Sequence, residues 1–122
     1  MFTRGIRGAI TISEDSAEAI KNATVELFGA IIDANNIKYE DIAYVLFTMT
    51  KDLKSAFPAK FVRENFDIKF VPLMNVNEMD IEPSLPMCLR ILMVVNTTKQ
   101  QKEIEHIYLG GAKVLRPDLT NA

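Results

Sequence analysis

A chain of 122 residues, 48% hydrophobic and 25% charged, has the length of one domain and enough apolar material for a real core. Its net charge of −2 argues against nucleic acid as the main partner, and its longest apolar run, Ile42 to Phe47, falls far short of the ~20 residues of a bilayer span. One cysteine rules out an internal disulfide, and one histidine argues against a His/Cys metal site.

After Arg4 and Arg7 the chain turns acidic at Glu14-Asp15 before any apolar core forms, so no signal-peptide pattern is visible and a cytoplasmic location is expected. Thr3 to Ile12 reads as a strand in which Gly5 and Gly8 mark close backbone approach or a bulge. Arg7, between them, is displayed with little steric cover; a surface arginine on an edge strand is the alternative.

Ser13 to Ser16 is a helix-start cluster with Asp15 or Ser16 as N-cap, and Asp15 and Glu18 have capping-box spacing. Ile20, Ala23/Thr24, Leu27 and Ala30/Ile31 recur every three or four residues, so a long helix lays an apolar stripe on a sheet and ends at Asn35-Asn36. Ile42 to Thr50 favours a strand through its aromatic and β-branched residues, followed by a polar break at Lys51-Asp52.

Ala56 to Glu64 reads as a short helix with Pro58 in its first turn. Phe57, Lys60 and Arg63 share a face there, as a ligand lid or as a hydrophobic staple beside a solvated face. Asp67 to Leu73 alternates like a strand, with Pro72 pointing to an edge position. Asn75 to Pro86 is expected to be a turn-rich loop; Glu78, Asp80 and Glu82 alternate like metal ligands, but without a glycine turn Asp80 and Glu82 read as solvated acids.

Met87 to Val95 is the strand that organises the chain: eight apolar residues and, among them, Arg90. Its composition suits a strand covered on both faces, with Cys88, Arg90, Leu92 and Val94 on one side and Leu89, Ile91, Met93 and Val95 on the other. Desolvating an arginine without a partner costs several kcal/mol, so Arg90 is a structural salt bridge, a snorkelling side chain or an anion site. Thr97 to Glu103 suggests a helical turn. His106 to Leu109 and Ala112 to Leu115 read as short strands flanking Gly110-Gly111, with Arg116 to Leu119 as a stop and Thr120 to Ala122 as a tail. Strands outnumber helices without βαβ alternation, which gives an α+β domain spanning 1–122: a β-sheet packed against one long helix plus a short one.

No catalytic triad, reactive Cys-His pair, phosphate loop or cofactor fingerprint can be assembled, and neither cofactor nor metal is expected. His106 reads as structural and Cys88 as a small core residue. What remains is a set of arginines, the isolated Glu78 and a tyrosine. Such a set can hold a compact, multiply anionic molecule and place charge around it.

The chain resembles the monofunctional chorismate mutases of the trimeric bacterial type. The likeness is carried by Arg4-Gly5-Ile6-Arg7-Gly8-Ala9, Phe57-Pro58-Ala59-Lys60 with Val62-Arg63-Glu64, Glu78-Met79-Asp80, Cys88-Leu89-Arg90, His106-Ile107-Tyr108-Leu109 and Ala112 to Leu119, in the family's order. It implies conversion of chorismate to prephenate, a Claisen rearrangement on the branch to phenylalanine and tyrosine, in a homotrimer whose mixed β-sheet packs into a barrel-like core with sites between subunits. It implies that Arg90 faces the breaking ether C–O bond and a carboxylate, that Arg7 and Tyr108 hold a carboxylate and the side chain, and that Glu78 meets the ring hydroxyl and the developing positive charge. One subunit would supply these residues and Leu115; its neighbour would supply Phe57, Ala59, Lys60, Arg63 and Leu73, with Arg116 near the mouth. Where the family carries a small residue or a cysteine, this chain has Met74 and Asn75, and Asn75 is expected to hydrogen-bond Glu78 or the ring hydroxyl. A non-catalytic trimeric binding protein for an aromatic-pathway acid and an enamine/imine deaminase of the related fold are the competing readings.

Overall fold

A computed structural model describes residues 1–118; the Thr120 to Ala122 tail and Leu119 lie outside the described residues. The elements in order are β1 (Phe2–Thr11), α1 (Ala17–Asn35), β2 (Ile42–Met49), α2 (Pro58–Asn65), β3 (Leu73–Asn77), β4 (Cys88–Thr97) and β5 (Ile107–Leu109). Among the described residues there are three 3-10 segments: Tyr39–Asp41 and Gln101–Glu103 lie in connections, and Gly110–Leu115 follows β5. The strands form one sheet in the order β3-β2-β4-β1-β5, so the apolar strand around Arg90 is its central member. β4 runs antiparallel to β1 and β2, while β3 and β5 lie parallel to β2 and β1, which makes the sheet mixed.

α1 forms because its apolar residues keep one face. Ile20, Ala23, Thr24, Leu27, Phe28, Ile31, Ile32 and Asn35 are buried, all at helical spacing. Ser16, not Asp15, is the N-cap: its hydroxyl accepts the Ala19 N–H at 3.1 Å. Asp15 instead accepts the N–H groups of Lys54 and Ser55, each at 3.0 Å. Asn36 ends the helix in the left-handed conformation, at φ 51°. The helix packs so closely on β1 that a Cβ on Gly8 would lie 2.6 Å from Ile31 Cδ1, so Gly8 is a close approach.

The core lies between the helices and one face of the sheet, where Ile6, Ile10, Val45, Phe47, Leu89, Ile91, Met93 and Val95 are buried. The expectation that β4 is covered on both faces does not hold within one chain. On its other face Cys88 is buried and Arg90 and Val94 are half-buried, but Leu92 is exposed.

Two further expectations are corrected. Residues 67–72 form no strand; Ile68 is buried in a turn closed by Val71 N–H to Ile68 O at 3.0 Å, and the strand begins at Leu73 and takes in Asn75 to Asn77. Burial of one residue in a turn mimicked the alternation of a strand. Residues 110–115 form a 3-10 segment rather than a strand, entered through Gly110 at φ 58° and tied to β1 by Gly111 N–H to Thr11 Oγ1 at 2.9 Å. Among the described residues no helix is long and apolar enough to cross a membrane.

Candidate active site

Register brings the candidate residues together. Across the sheet, Tyr108 pairs with Ala9, Ala9 with Arg90 and Arg90 with Thr48. One two-residue step along, Arg7 pairs with Leu92 and Leu92 with Leu46. Cross-strand partners share a face, so Arg7, Arg90, Thr48 and Tyr108 rise from the side of the sheet away from α1. Ala9 keeps the row between Arg90 and Tyr108 low, and the two inter-strand spacings across β1 set a separation of about 10 Å at the backbone.

Glu78 enters this face from the start of the loop after β3. Its Oε1 accepts the Thr48 hydroxyl at 2.6 Å and lies 3.4 Å from Arg90 Nε. The pair is within ion-pair range, yet Arg90 Nε is buried and has no hydrogen-bond partner, because the geometry does not align the N–H with the carboxylate. The salt-bridge and anion-site readings therefore meet in one residue. Glu78 supplies the counter-charge, and a charged donor is left unspent beside it. An unsatisfied buried donor costs about 1–3 kcal/mol, recovered only when an acceptor arrives.

Two concavities share this pair. One, of ≈ 260 Å³, is lined by Arg7, Leu46, Thr48, Glu78, Arg90 and Leu92 among others. The second, of ≈ 300 Å³, adds Ile81, Leu85 and Leu115 to Glu78 and Arg90. Tyr108 is buried in a small cluster with Ala9, Cys88 and Ala112, against which Leu85 and Leu115 pack, and its hydroxyl also lacks a hydrogen-bond partner. Burial pushes the Cys88 thiol above its usual range even though Arg90 nearby favours the thiolate, so it is a packing residue and not a nucleophile.

His106 Nδ1 accepts the backbone N–H of Arg7 at 2.9 Å, which fixes the neutral tautomer with the proton on Nε2. Burial, then the guanidinium groups of Arg7 and Arg116, hold this imidazole below its usual pKa. Arg116 is itself forked onto Asp118 at 3.1 and 2.9 Å. Among the described residues Arg7 and Arg63 have no ion-pair partner.

The other candidates lie elsewhere in the chain. Phe57, Lys60 and Arg63 project from α2, and Phe57 is 70% exposed, so it is not a staple over the core. Met74 is exposed, and Leu73 is half-buried against the core. Asn75 does not reach Glu78: its Oδ1 accepts the Ala59 N–H at 3.1 Å and so caps α2, whose N-cap Phe57 has no side chain for the task. None of these seven residues lines the concavities around Arg90. Phe57 and Asn75 instead border a third hollow of ≈ 320 Å³. The candidates fall into two groups, one on β1, β4 and β5 with the Glu78 loop, the other on α2 and β3.

Thr48, Thr50, Asp52 and the acceptor role of His106 escaped the sequence reading. Thr48 had a usable signal: alternation in β2 sets it on the same face as Leu46. Among the described residues no group of three or more His, Cys, Asp or Glu is placed to hold a metal ion.

The sequence profile of the family described as Chorismate mutase type I matches residues 3–119. A chorismate mutase of Thermus thermophilus is 48% identical over 122 residues, covering 99% of each chain. One of Bacillus subtilis (strain 168) is 43% identical over 120 residues, covering 98% of this chain and 94% of that one. The solved structure of a chorismate mutase from Clostridium thermocellum superposes with a TM-score of 0.88 at 42% identity, over 91% of this chain and 98% of the other.

Proposed function

The chain belongs to the chorismate mutase type I family, and we propose that its isomerisation of chorismate to prephenate is driven by Arg90 and Glu78 acting as fixed charges. The observation that carries this reading is the buried Arg90 Nε, with no hydrogen-bond partner, 3.4 Å from Glu78 on the central strand. In the rearrangement an ether C–O bond breaks while a C–C bond forms. Negative charge grows on the departing oxygen and positive charge on the ring.

A guanidinium aimed at that oxygen and a carboxylate facing the ring stabilise the transition state more than the substrate. No proton has to move and no covalent intermediate is needed. Arg7 and Tyr108 take a carboxylate and the side chain, and Leu115 closes the apolar wall. Holding the dianion in its compact conformer removes internal rotations before the reaction.

The same proposal makes the protein a homotrimer in which Phe57, Ala59, Lys60, Arg63, Leu73, Met74 and Asn75 of one subunit complete the Arg90 site of the next, with Arg116 at the mouth. Support comes from the separation of the two groups within one chain. It also comes from apolar side chains left exposed on the sheet, Tyr44, Met74, Val76 and Leu92. A small polar, anionic substrate supports a cytoplasmic setting.

Chorismate added to purified protein, followed by its ultraviolet absorbance, tests the activity; no catalysed loss above background would sink it, and saturable binding without loss would favour a binding protein. Mixing Arg90→Ala protein with Arg63→Ala protein under conditions of subunit exchange, at chorismate well below the raised KM of Arg63→Ala, tests the shared site. Recovered turnover is expected, because some sites regain both arginines; no recovery despite exchange would place each site within one chain.

A further inference from the structure

A polar cluster where the chain enters β4 takes no direct part in the proposed chemistry. Thr50 Oγ1 accepts the Cys88 N–H at 3.0 Å and donates its proton to Asp52 Oδ1 at 2.5 Å. Asp52 accepts the Met87 N–H with both oxygens, at 3.2 and 3.0 Å, and the Thr50 N–H donates to the Cys88 carbonyl at 3.0 Å. Met87 sits in the left-handed region at φ 52°, unusual for a methionine, and its carbonyl accepts the Ile12 N–H at 2.8 Å.

We propose that Asp52, working with Thr50, is a positioning residue for the rearrangement: it fixes the backbone at Met87 and Cys88 and thereby the aim of Arg90 at Glu78. The proposal rests on the roles given to Arg90 and Glu78 above.

Glu78 and Arg90 flank the two ends of one irregular loop between β3 and β4. Their separation is set only if both ends are held. Thr48 holds the Glu78 end, and the Asp52 carboxylate holds the other. An extended Met87 would relieve the backbone, so the left-handed turn persists only while its N–H and its carbonyl are both engaged. The neighbouring Lys51 adds an exposed pair to Asp80 at 2.8 Å, which tethers the same loop near Glu78. The hydroxyl of Thr50 and the N–H of Met87 both favour the carboxylate, and they hold the Asp52 pKa below its usual value.

The far end of the Thr50 turn is held independently, by Asp15 on the N–H groups of Lys54 and Ser55. Loss of Asp52 therefore leaves α2 in place. Arg90 suffers, and Lys60 and Arg63 do not.

The test compares Asp52→Ala, Asp52→Asn and Thr50→Val in the full chain, with kcat and KM from chorismate loss at a temperature well below each variant's Tm. Asp52→Ala is expected to lower kcat by roughly ten- to a hundredfold with KM changed less than about threefold, since misplacement by about 1 Å is enough for such losses. Asparagine keeps one oxygen able to accept from both Thr50 and Met87, so Asp52→Asn should stay within about threefold of the parent. Combining Asp52→Ala with Arg90→Lys should cost little more than Arg90→Lys alone, because both act through one guanidinium.

A folded Asp52→Ala with kcat within about twofold of the parent overturns the proposal, as does an Asp52→Asn that falls as far as the alanine, or losses that multiply with Arg90→Lys. If Asp52→Ala does not fold, Thr50→Val decides in the same way: a lowered kcat at constant KM supports the role and an unchanged kcat ends it. If Arg90→Lys itself keeps the parent kcat, the assignment of Arg90 fails; if it collapses while Asp52→Ala does not, only the positioning role fails.

Discussion

Replacing Arg90 by lysine keeps the positive charge and removes the fork, so it separates charge from geometry. The Arg90 side chain is 31% exposed, which calls for an effective dielectric of about 20 rather than that of a dry interior. Half an elementary charge developing on an oxygen about 3 Å from a cation is then stabilised by about 3 kcal/mol. Moving the cation back by about 2 Å, as a shorter point charge does, forfeits about 1 kcal/mol of that. The hydrogen bond from Nε to a charged acceptor is lost as well, and such bonds contribute about 1.5–3 kcal/mol. The combined loss of about 2.5–4 kcal/mol corresponds to a fall in kcat of about 10²- to 10³-fold.

The assay is the initial rate of chorismate loss over a range of concentrations, with the variant's Tm measured alongside. Because β4 is central and Arg90 lies on its open face, Tm should change little. A folded Arg90→Lys protein with kcat within about tenfold of the parent would refute the contact of the Arg90 fork with the reacting oxygen.

Arg63→Ala should raise KM while leaving kcat nearly unchanged, because an exposed guanidinium on α2 without an ion-pair partner captures substrate and does not touch the reacting bond; a large kcat loss at constant KM would contradict it. Gly8→Ala would press a methyl to 2.6 Å from Ile31 Cδ1 and 3.1 Å from Leu27 Cδ1, both in fully buried side chains. Overpacking of this kind costs about 1–3 kcal/mol, read as a lower urea midpoint at constant m-value, and an unchanged midpoint would show that α1 gives way freely. His106 has its pKa depressed in the folded chain, so its stabilising contribution is present above the unfolded value of 6.5 and is lost as pH falls towards the lower folded value. Tm should therefore drop between about pH 7.5 and pH 5.5, and drop less in His106→Asn, whose Oδ1 can still accept from Arg7; equal slopes would remove His106 as the cause. The carboxylates held below their usual pKa, Asp15, Asp52 and Asp118, act at lower pH and leave this window clear.

What could be read from the sequence was whatever burial makes costly. One arginine among eight apolar residues marks a strand whose charge needs a reason, and that strand is the central one, with Arg90 beside Glu78. Long periodic stretches were legible for the same reason: α1 ends within a residue of its Asn35-Asn36 signal because eight buried positions share one stripe. The short segments failed. Residues 67–72 and 110–115 are too brief for a period of two to be told from a turn, and in both the contact that decides, Ile68 in its pocket and Thr11 on Gly111, is tertiary.

The supporting residues of the site failed differently. Thr48, Thr50, Asp52, Asn75 and His106 carry small polar groups that donate to a carboxylate or accept from backbone N–H groups, up to 99 residues away. A threonine after a strand or an aspartate in a polar break costs nothing to expose, so composition gives no reason to look at it. Asn75 shows the consequence. Beside the family pattern it is expected to hydrogen-bond Glu78 or the ring hydroxyl; in the fold its Oδ1 satisfies a helix N-terminus and ties β3 to α2. Charges that must contact the substrate announce themselves by their cost, whereas the groups that aim them are seen only once the backbone they hold is in place.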